Sequence, residues 1–465
     1  MDKGSNKNIV LYVVALSSFL TPFMSSSVNI ALPAIGREFG MNAVSMGWVS
    51  TSFILAAGVF LVPFGRIADI HGRKRIFLYG ISLTTLASLL CGISGSEVLL
   101  IAFRVLQGFG SSMIFGTGIA ILTSVFPAEK RGKALGINVA FTYAGLSAGP
   151  VIGGFLTQYF SWRSIFFLCV LLGIFIIISV LLKLKDDWAE AQMETFRITD
   201  SIFYGMALLG VMYGFLLLPG ILGAVLIIIG LAGFVGFGLL QTRTKSPILD
   251  LAIFKGNNVF IYSSLAALIN YSATFAVGFL ISLYLQYIKG FDPQTAGLVM
   301  VIQPVMQVLL SPYAGKLSDR SDPHKISSLG MILTLSGLIM MIFISDRTSI
   351  LYIVLGLALL GIGFALFSSP NTNAIMGSVE KRFYGVASGI VGTMRLIGQV
   401  FSMGTATLVF AVHMGRVTIT PQYYGKFVES SRIIFIILSI LSFAGIFASL
   451  TRKNMGQGDR INIPK

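Results

Sequence analysis

The chain has 465 residues, of which 55% are hydrophobic and only 11% charged, with a mean hydropathy of +0.87. A soluble domain carries about 25% charged residues, so this composition excludes a water-soluble enzyme, a disordered chain and a secreted disulfide scaffold. The net charge of +15 points either to nucleic acid or to membrane topology, and its placement along the chain decides which.

A helical membrane crossing needs about 20 apolar residues. The hydropathy pattern predicts six crossings in the first half, near 9–31, 45–66, 76–95, 98–124, 134–158 and 164–183. Two more follow at 201–218 and 221–240, and a last six near 258–287, 294–315, 326–345, 349–370, 384–413 and 432–451. These runs are continuous rather than alternating, which argues against a membrane barrel. Lys3 and Lys7 mimic the start of a signal peptide, but the run behind them is too long for one and is read as a retained span. The stretch Ser201–Thr242 carries no charge and has Pro219-Gly220 near its middle. It reads as two spans joined by a tight hairpin, with a re-entrant hairpin as the alternative. Cys91 and Cys169 lie in apolar segments without metal or redox spacing and read as packed thiols.

With the amino terminus taken as cytoplasmic, 24 Lys and Arg fall in inside loops, seven in outside loops, and Arg104 and Arg395 within spans. This bias sets both termini inside and requires an even number of spans. The net charge is then topology and contact with anionic membrane lipid, not nucleic-acid binding.

A repeat runs through the chain. Gly65-Arg66-Ile67-Ala68-Asp69 recurs as Gly315-Lys316-Leu317-Ser318-Asp319, a shift of 250, and Glu129-Lys130-Arg131 recurs as Glu380-Lys381-Arg382, a shift of 251. The expected organisation is an all-α polytopic membrane protein of two six-helix bundles in parallel repeat plus two extra central helices. Its parts are an N-terminal bundle over 1–183, a cytoplasmic linker over 184–200, an inserted hairpin over 201–242, a C-terminal bundle over 243–453 and a tail over 454–465. Parallel repeats of six helices are a transporter architecture.

The loop Gly65-Arg66-Ile67-Ala68-Asp69-Ile70-His71-Gly72-Arg73-Lys74-Arg75 resembles the signature of the major facilitator superfamily. The resemblance implies a cytoplasmic latch formed by Gly65, Asp69, Gly72, Arg73 and Lys74, with Gly315 and Asp319 as its second copy. Arg104 stands about two turns into the fourth span, where a charge is costly unless it faces a cavity or a partner. The segment with Gln107 resembles the family's fourth-span motif, which implies a part for Arg104 in proton transfer. In the fifth span Gly145, Gly149 and Gly153 lie on one helical face and Pro150 can kink the helix. Together with Gly154 they resemble the motif of the family's exporters. Trp162-Arg163 also looks like the exporters' entry to the sixth span. With two extra central spans, the chain is most similar to the fourteen-span drug:proton antiporters.

One feature departs from that pattern. The first-span motif normally places an aspartate where this chain has Met24, and none of the 18 acids is placed deep in a span. A cavity with Arg104 and Arg395 but no deep acid suits neutral, zwitterionic or anionic substrates better than dications. Further candidates for the substrate and coupling cavity are Asn29, Asn270, Gln303, Gln307, Asn371 and Asn373, each of which could instead be interhelical glue. Neither a metal-binding histidine cluster nor a nucleotide loop is found, so no cofactor is expected. The expected activity is secondary export of small hydrophobic compounds across the plasma membrane by a monomer, with protons as the coupling ion. A facilitator or importer of another solute or lipid, or a non-transporting sensor or scaffold, is the alternative. An enzyme is not expected.

Overall fold

In the computed structural model the described residues are 7–126, 128–184, 187, 198–243, 251–379, 384–415 and 417–451. Fourteen helices are long and apolar enough to cross a membrane. They are α1 (Lys7–Phe39), α2 (Ala43–His71), α3 (Arg73–Gly92), α4 (Glu97–Val125), α5 (Ala134–Tyr159), α6 (Arg163–Lys183) and α7 (Thr199–Leu216). The series continues with α8 (Ile221–Thr242), α9 (Asn258–Ile288), α10 (Pro293–Ser318), α11 (Pro323–Ile342), α12 (Ile350–Gly377), α13 (Gly389–Met414) and α14 (Pro421–Leu450). All fourteen sequence-derived spans are present, and the Ser201–Thr242 stretch forms two helices.

The helix starts follow from capping chemistry. The side chains of Asn42, Ser96, Asp292, Asp322 and Ser349 each accept a backbone N–H from the first turn of α2, α4, α10, α11 and α12. Proline explains the main irregularity. The helical run of α10 is interrupted at Val301, between Pro293–Met300 and Ile302–Arg320. Pro304 has no N–H to offer the Met300 carbonyl four residues earlier.

The chain forms two compact units. The first holds Met1–Ile248, Val277–Val301 and Met403–Phe427, so it contains α1–α8 and one end each of α9, α10, α13 and α14. The second holds Leu249–Ala276, Ile302–Ser402 and Val428–Lys465. The expected 243–453 bundle thus contributes to both units.

In the first unit α1 packs along α5 and the start of α10, α2 on α4, and α3 on α4 and α6, while α7 pairs with α8 and leans on α2. One of its cores gathers Ala68, Ile76 and Met113 under Phe64, Ile67 and Phe109. The outward side of α8 is apolar and exposed, from Ile221 and Leu222 through Ile228 and Ile229 to Leu239, as lipid contact requires. In the second unit α11 and α10 pack on α12. Its cores centre on Ile253, Phe260 and Ile375, and on Ala266, Met331 and Phe367.

The repeat is visible in packing as well as in loops. A Cβ on Gly110 of α4 would lie 2.8 Å from the Thr84 nitrogen and 3.0 Å from the Gly80 carbonyl oxygen of α3. A Cβ on Gly363 of α12 would lie 2.5 Å from the Thr334 nitrogen and 2.7 Å from the Gly330 carbonyl oxygen of α11. The same two glycines and threonine make the same tight crossing about 250 residues later, each time inside its own unit.

Candidate functional site

The fourth helix is drawn against the second by a glycine. A Cβ on Gly108 would lie 2.9 Å from the Ala56 Cβ and 3.0 Å from the Phe53 carbonyl carbon. One turn earlier on both helices, Arg104 therefore meets Val49. Its Nε donates to the Val49 carbonyl at 2.9 Å, and its Cζ stands 4.4 Å from the centroid of the Phe53 ring. Its Nη1 donates to Gln107 Oε1 at 2.6 Å, Gln107 Nε2 donates to Ser88 Oγ at 2.7 Å, and Ser88 Oγ donates to the Thr84 carbonyl at 2.7 Å. Arg104 is 1% exposed, so it does not snorkel to the interface. No carboxylate touches it among the described residues, and Cys91 and Cys169 of the same unit are buried free thiols.

Helix α1 carries Met24 and Asn29, both buried. Pro33 removes the N–H that would bond the Asn29 carbonyl. That carbonyl accepts instead from Ser282 Oγ of α9 at 2.6 Å, and the Ile30 carbonyl accepts from Gln286 Nε2 at 2.9 Å. The Asn29 side chain accepts from Ser50 Oγ of α2 at 3.0 Å. A π-helical turn over Tyr284–Ile288 carries Gln286 within this end of α9.

The α5 glycine face lies against α1. A Cβ on Gly149 would meet the Phe23 carbonyl oxygen at 2.9 Å, and one on Gly153 would meet the Ser27 Cβ at 2.7 Å. Gly145 abuts the Phe19 carbonyl, Gly154 faces Pro293 of α10, and the Pro150 carbonyl faces Gly297 of α10. Ser27 Oγ donates to the Gly149 carbonyl at 3.0 Å. The glycines thus set α1, α5 and the start of α10 at backbone contact distance.

In the α2–α3 loop Gly72 has φ +109°, a conformation suited to glycine. Arg73 Nε donates to Asp69 Oδ1 at 2.8 Å, its Nη2 pairs with the same oxygen at 2.7 Å, and its Nη1 reaches Ser124 of α4. Asp187 of the linker accepts from the Lys74 nitrogen at 3.1 Å and pairs with Arg75 Nε at 3.1 Å. Gly65 approaches Gly116 of α4. In the second copy Gly315 faces Ser369, while the Asp319 side chain and the Glu129-Lys130-Arg131 and Glu380-Lys381-Arg382 side chains lie outside the described residues. At the other end of α1, Glu38 accepts from Trp162 Nε1 at 2.7 Å and from Arg163 Nη1 at 2.8 Å.

The remaining candidates belong to the second unit. Asn371 Nδ2 donates to the Ser263 carbonyl at 3.1 Å, and Asn373 Nδ2 to Ser318 Oγ at 3.0 Å. Asn373 also lines a cavity of about 350 Å³ with Val259, Pro323 and Ser378. Arg395 stands 5.4 Å from the Tyr271 ring centroid. Neighbouring Asn270 is fully buried, and neither of its amide atoms has a hydrogen-bond partner among the described residues. Gln307 is buried and Gln303 half-buried. Sequence reasoning missed Ser50, Ser282, Gln286 and Asp187. The signal for Ser282 was Pro33, since a proline in a buried helix announces a carbonyl in need of a donor.

The comparisons agree with this architecture. The Major Facilitator Superfamily profile matches residues 14–242 and 263–460. The riboflavin transporter RibZ of Clostridioides difficile is 30% identical over 403 residues, covering 86% of this chain and 87% of that protein. The multidrug resistance protein Stp of Mycobacterium tuberculosis is 28% identical over 420 residues, covering 89% and 78%. The tetracenomycin C resistance and export protein of Streptomyces glaucescens is 28% identical over 408 residues, covering 86% and 74%. Among solved structures, a peptide transporter POT in complex with sulfate superposes with a TM-score of 0.71 at 13% identity, covering 97% of this chain and 96% of that one, which shows a shared fold. With fourteen apolar helices, a duplicated packing and a matching profile over most of its length, the chain belongs to the Major Facilitator Superfamily of membrane transporters.

Proposed function

We propose that this transporter exports small hydrophobic or drug-like compounds by alternating access, as a monomer in the plasma membrane with both termini cytoplasmic. The observation that carries the reading is the unbroken glycine face of α5, with Gly145, Gly149 and Gly153 against α1 and Gly154 against α10. A helix contact of this kind allows two backbones to slide or rock without side chains interlocking. Two of the similar proteins, named for multidrug resistance and for tetracenomycin export, support the direction of transport. Protons are the proposed coupling ion, although buried Met24 stands where the first-span acid of such antiporters would carry them.

The test uses purified protein in liposomes with an imposed proton gradient and a hydrophobic fluorescent dye as substrate. Accumulation of dye against its gradient, lost in Arg104→Ala, is the expected result. Equilibration of dye without any gradient dependence overturns antiport and leaves a facilitator. The similarity to a riboflavin transporter favours a second reading, movement of a flavin-sized heteroaromatic solute, which labelled riboflavin in the same liposomes distinguishes.

A further inference from the structure

A guanidinium keeps its charge in any protein environment. Arg104, at 1% exposure in a membrane-spanning helix, is therefore a fixed positive charge in a low-dielectric surrounding. Such a charge is destabilising unless it is paired and hydrogen-bonded. The described structure supplies neutral partners only: the Val49 carbonyl, Gln107 Oε1 and the face of Phe53. These account for two of its five N–H groups, and Nη2 has no hydrogen-bond partner among the described residues. Five acids of the same unit among the described residues are committed elsewhere: Asp69 to Arg73, Asp187 to Arg75, Glu38 to Arg163, Asp200 to Gln241 and Asp292 to Thr295. Glu97 stands seven residues before Arg104, about 10 Å along the helix axis.

We infer that Arg104 is the binding site for a small monovalent anion, either chloride or the carboxylate of a transported compound, and that this anion supplies the counter-charge that the described residues do not. The geometry suits one anionic group and not a second cation. Arg104 Nη2 keeps both of its N–H groups for a ligand, and a guanidinium is the donor that matches a carboxylate and also cradles a halide. Gln107 faces Arg104 through its acceptor oxygen Oε1 and spends one of its two amide hydrogens on Ser88 Oγ. Binding is independent of the direction of transport, so it is tested without flux.

The experiment follows the tryptophan fluorescence and thermal unfolding of the full chain in detergent, titrated with chloride or benzoate against gluconate at constant ionic strength. Wild type shows a saturable response to both probes. In Arg104→Met the apparent affinity falls about tenfold to a hundredfold, the range of one charge-assisted hydrogen bond. Gln107→Glu places a fixed carboxylate on the Nη1 contact, so the folded variant loses the anion response while keeping or raising its unfolding temperature. That variant keeps the proposal falsifiable if Arg104→Met does not fold. A wild type without a saturable response, or a response unchanged in Gln107→Glu, overturns the proposal. Labelled chloride and labelled benzoate in liposomes then separate the sources: a resident chloride binds without crossing, whereas a substrate carboxylate is carried.

Discussion

Replacing Ser282 with alanine removes the one side-chain donor that the described residues give to a carbonyl that proline has stripped of its helical partner. The bond is short, 2.6 Å from Ser282 Oγ to the Asn29 carbonyl oxygen, and Ser282 is fully buried. An orphaned buried acceptor costs about 1–3 kcal/mol. Side-chain hydrogen bonds measured inside membrane proteins average about 0.6 and reach about 1.7 kcal/mol. Gln286 Nε2 lies 3.2 Å from Ser282 Oγ and can turn partway toward the vacated oxygen, although it then leaves the Ile30 carbonyl. The expected loss is therefore about 1–1.5 kcal/mol, close to tenfold in an unfolding equilibrium. Unfolding in mixed micelles, followed through Trp48 and Trp162 of the same unit, measures it. The decisive comparison is a double-mutant cycle with Pro33→Ala, which returns an N–H to the Asn29 carbonyl. In that background Ser282→Ala should lose less than half as much. An equal loss in both backgrounds would refute the account, because Ser282 would then act by packing and not by replacing the missing N–H.

Three further outcomes are expected. Gly153→Leu must push α1 from α5, since even a Cβ would sit 2.7 Å from that of Ser27; overpacking of this kind costs about 1–3 kcal/mol, and dye flux should fall together with the yield of folded protein, whereas Gly136→Leu, which meets nothing within 4 Å, should leave both unchanged. Arg73→Lys keeps the charge but loses the fork that holds Asp69 and Ser124 at once, so flux should drop several-fold with little change in folded yield; wild-type flux in this variant would remove the loop from the cycle. Asp292 caps α10 through the Thr295 N–H, and that bond holds its carboxyl below the ordinary aspartate range. A depressed carboxylate stabilises the folded state at neutral pH and loses the contribution only as pH falls below that range. Asp292→Asn keeps the cap, so the acid-induced loss of stability measured below pH 5 should shrink in the variant.

The fold was legible because fourteen apolar runs and two loop repeats need only hydropathy and spacing. Arg104 was legible as a buried charge because it lies seven residues beyond Glu97 in an otherwise apolar helix. Its partners were not, since the Val49 carbonyl is a backbone group that no residue type announces. The contact between Ser282 and Asn29 spans 253 residues of sequence, and a serine in a membrane helix is too common to mark itself. Asn371 and Asn373 show the reverse difficulty. Their type suggests a polar cavity, and sequence spacing does not tell that their amides donate to the Ser263 carbonyl and to Ser318 Oγ, or which face of α12 meets a neighbour. The linker acid Asp187 lay in a polar stretch where any of several acids could have met Arg75.

The hydrogen bonds around Arg104 have one direction. Each member gives its hydrogen to the next, from Arg104 through Gln107 and Ser88 to the Thr84 carbonyl, and the series stops at an oxygen with nothing to pass on. A relay of protons needs groups that can receive on one side and release on the other. The Gln107 amide cannot do so without ceasing to be an amide, and a carbonyl at the end of the line is a terminus. The row is a brace that fixes how the guanidinium is aimed. Any proton this protein moves must therefore travel by another route, and a search for its carrier belongs away from the Gln107 side of Arg104.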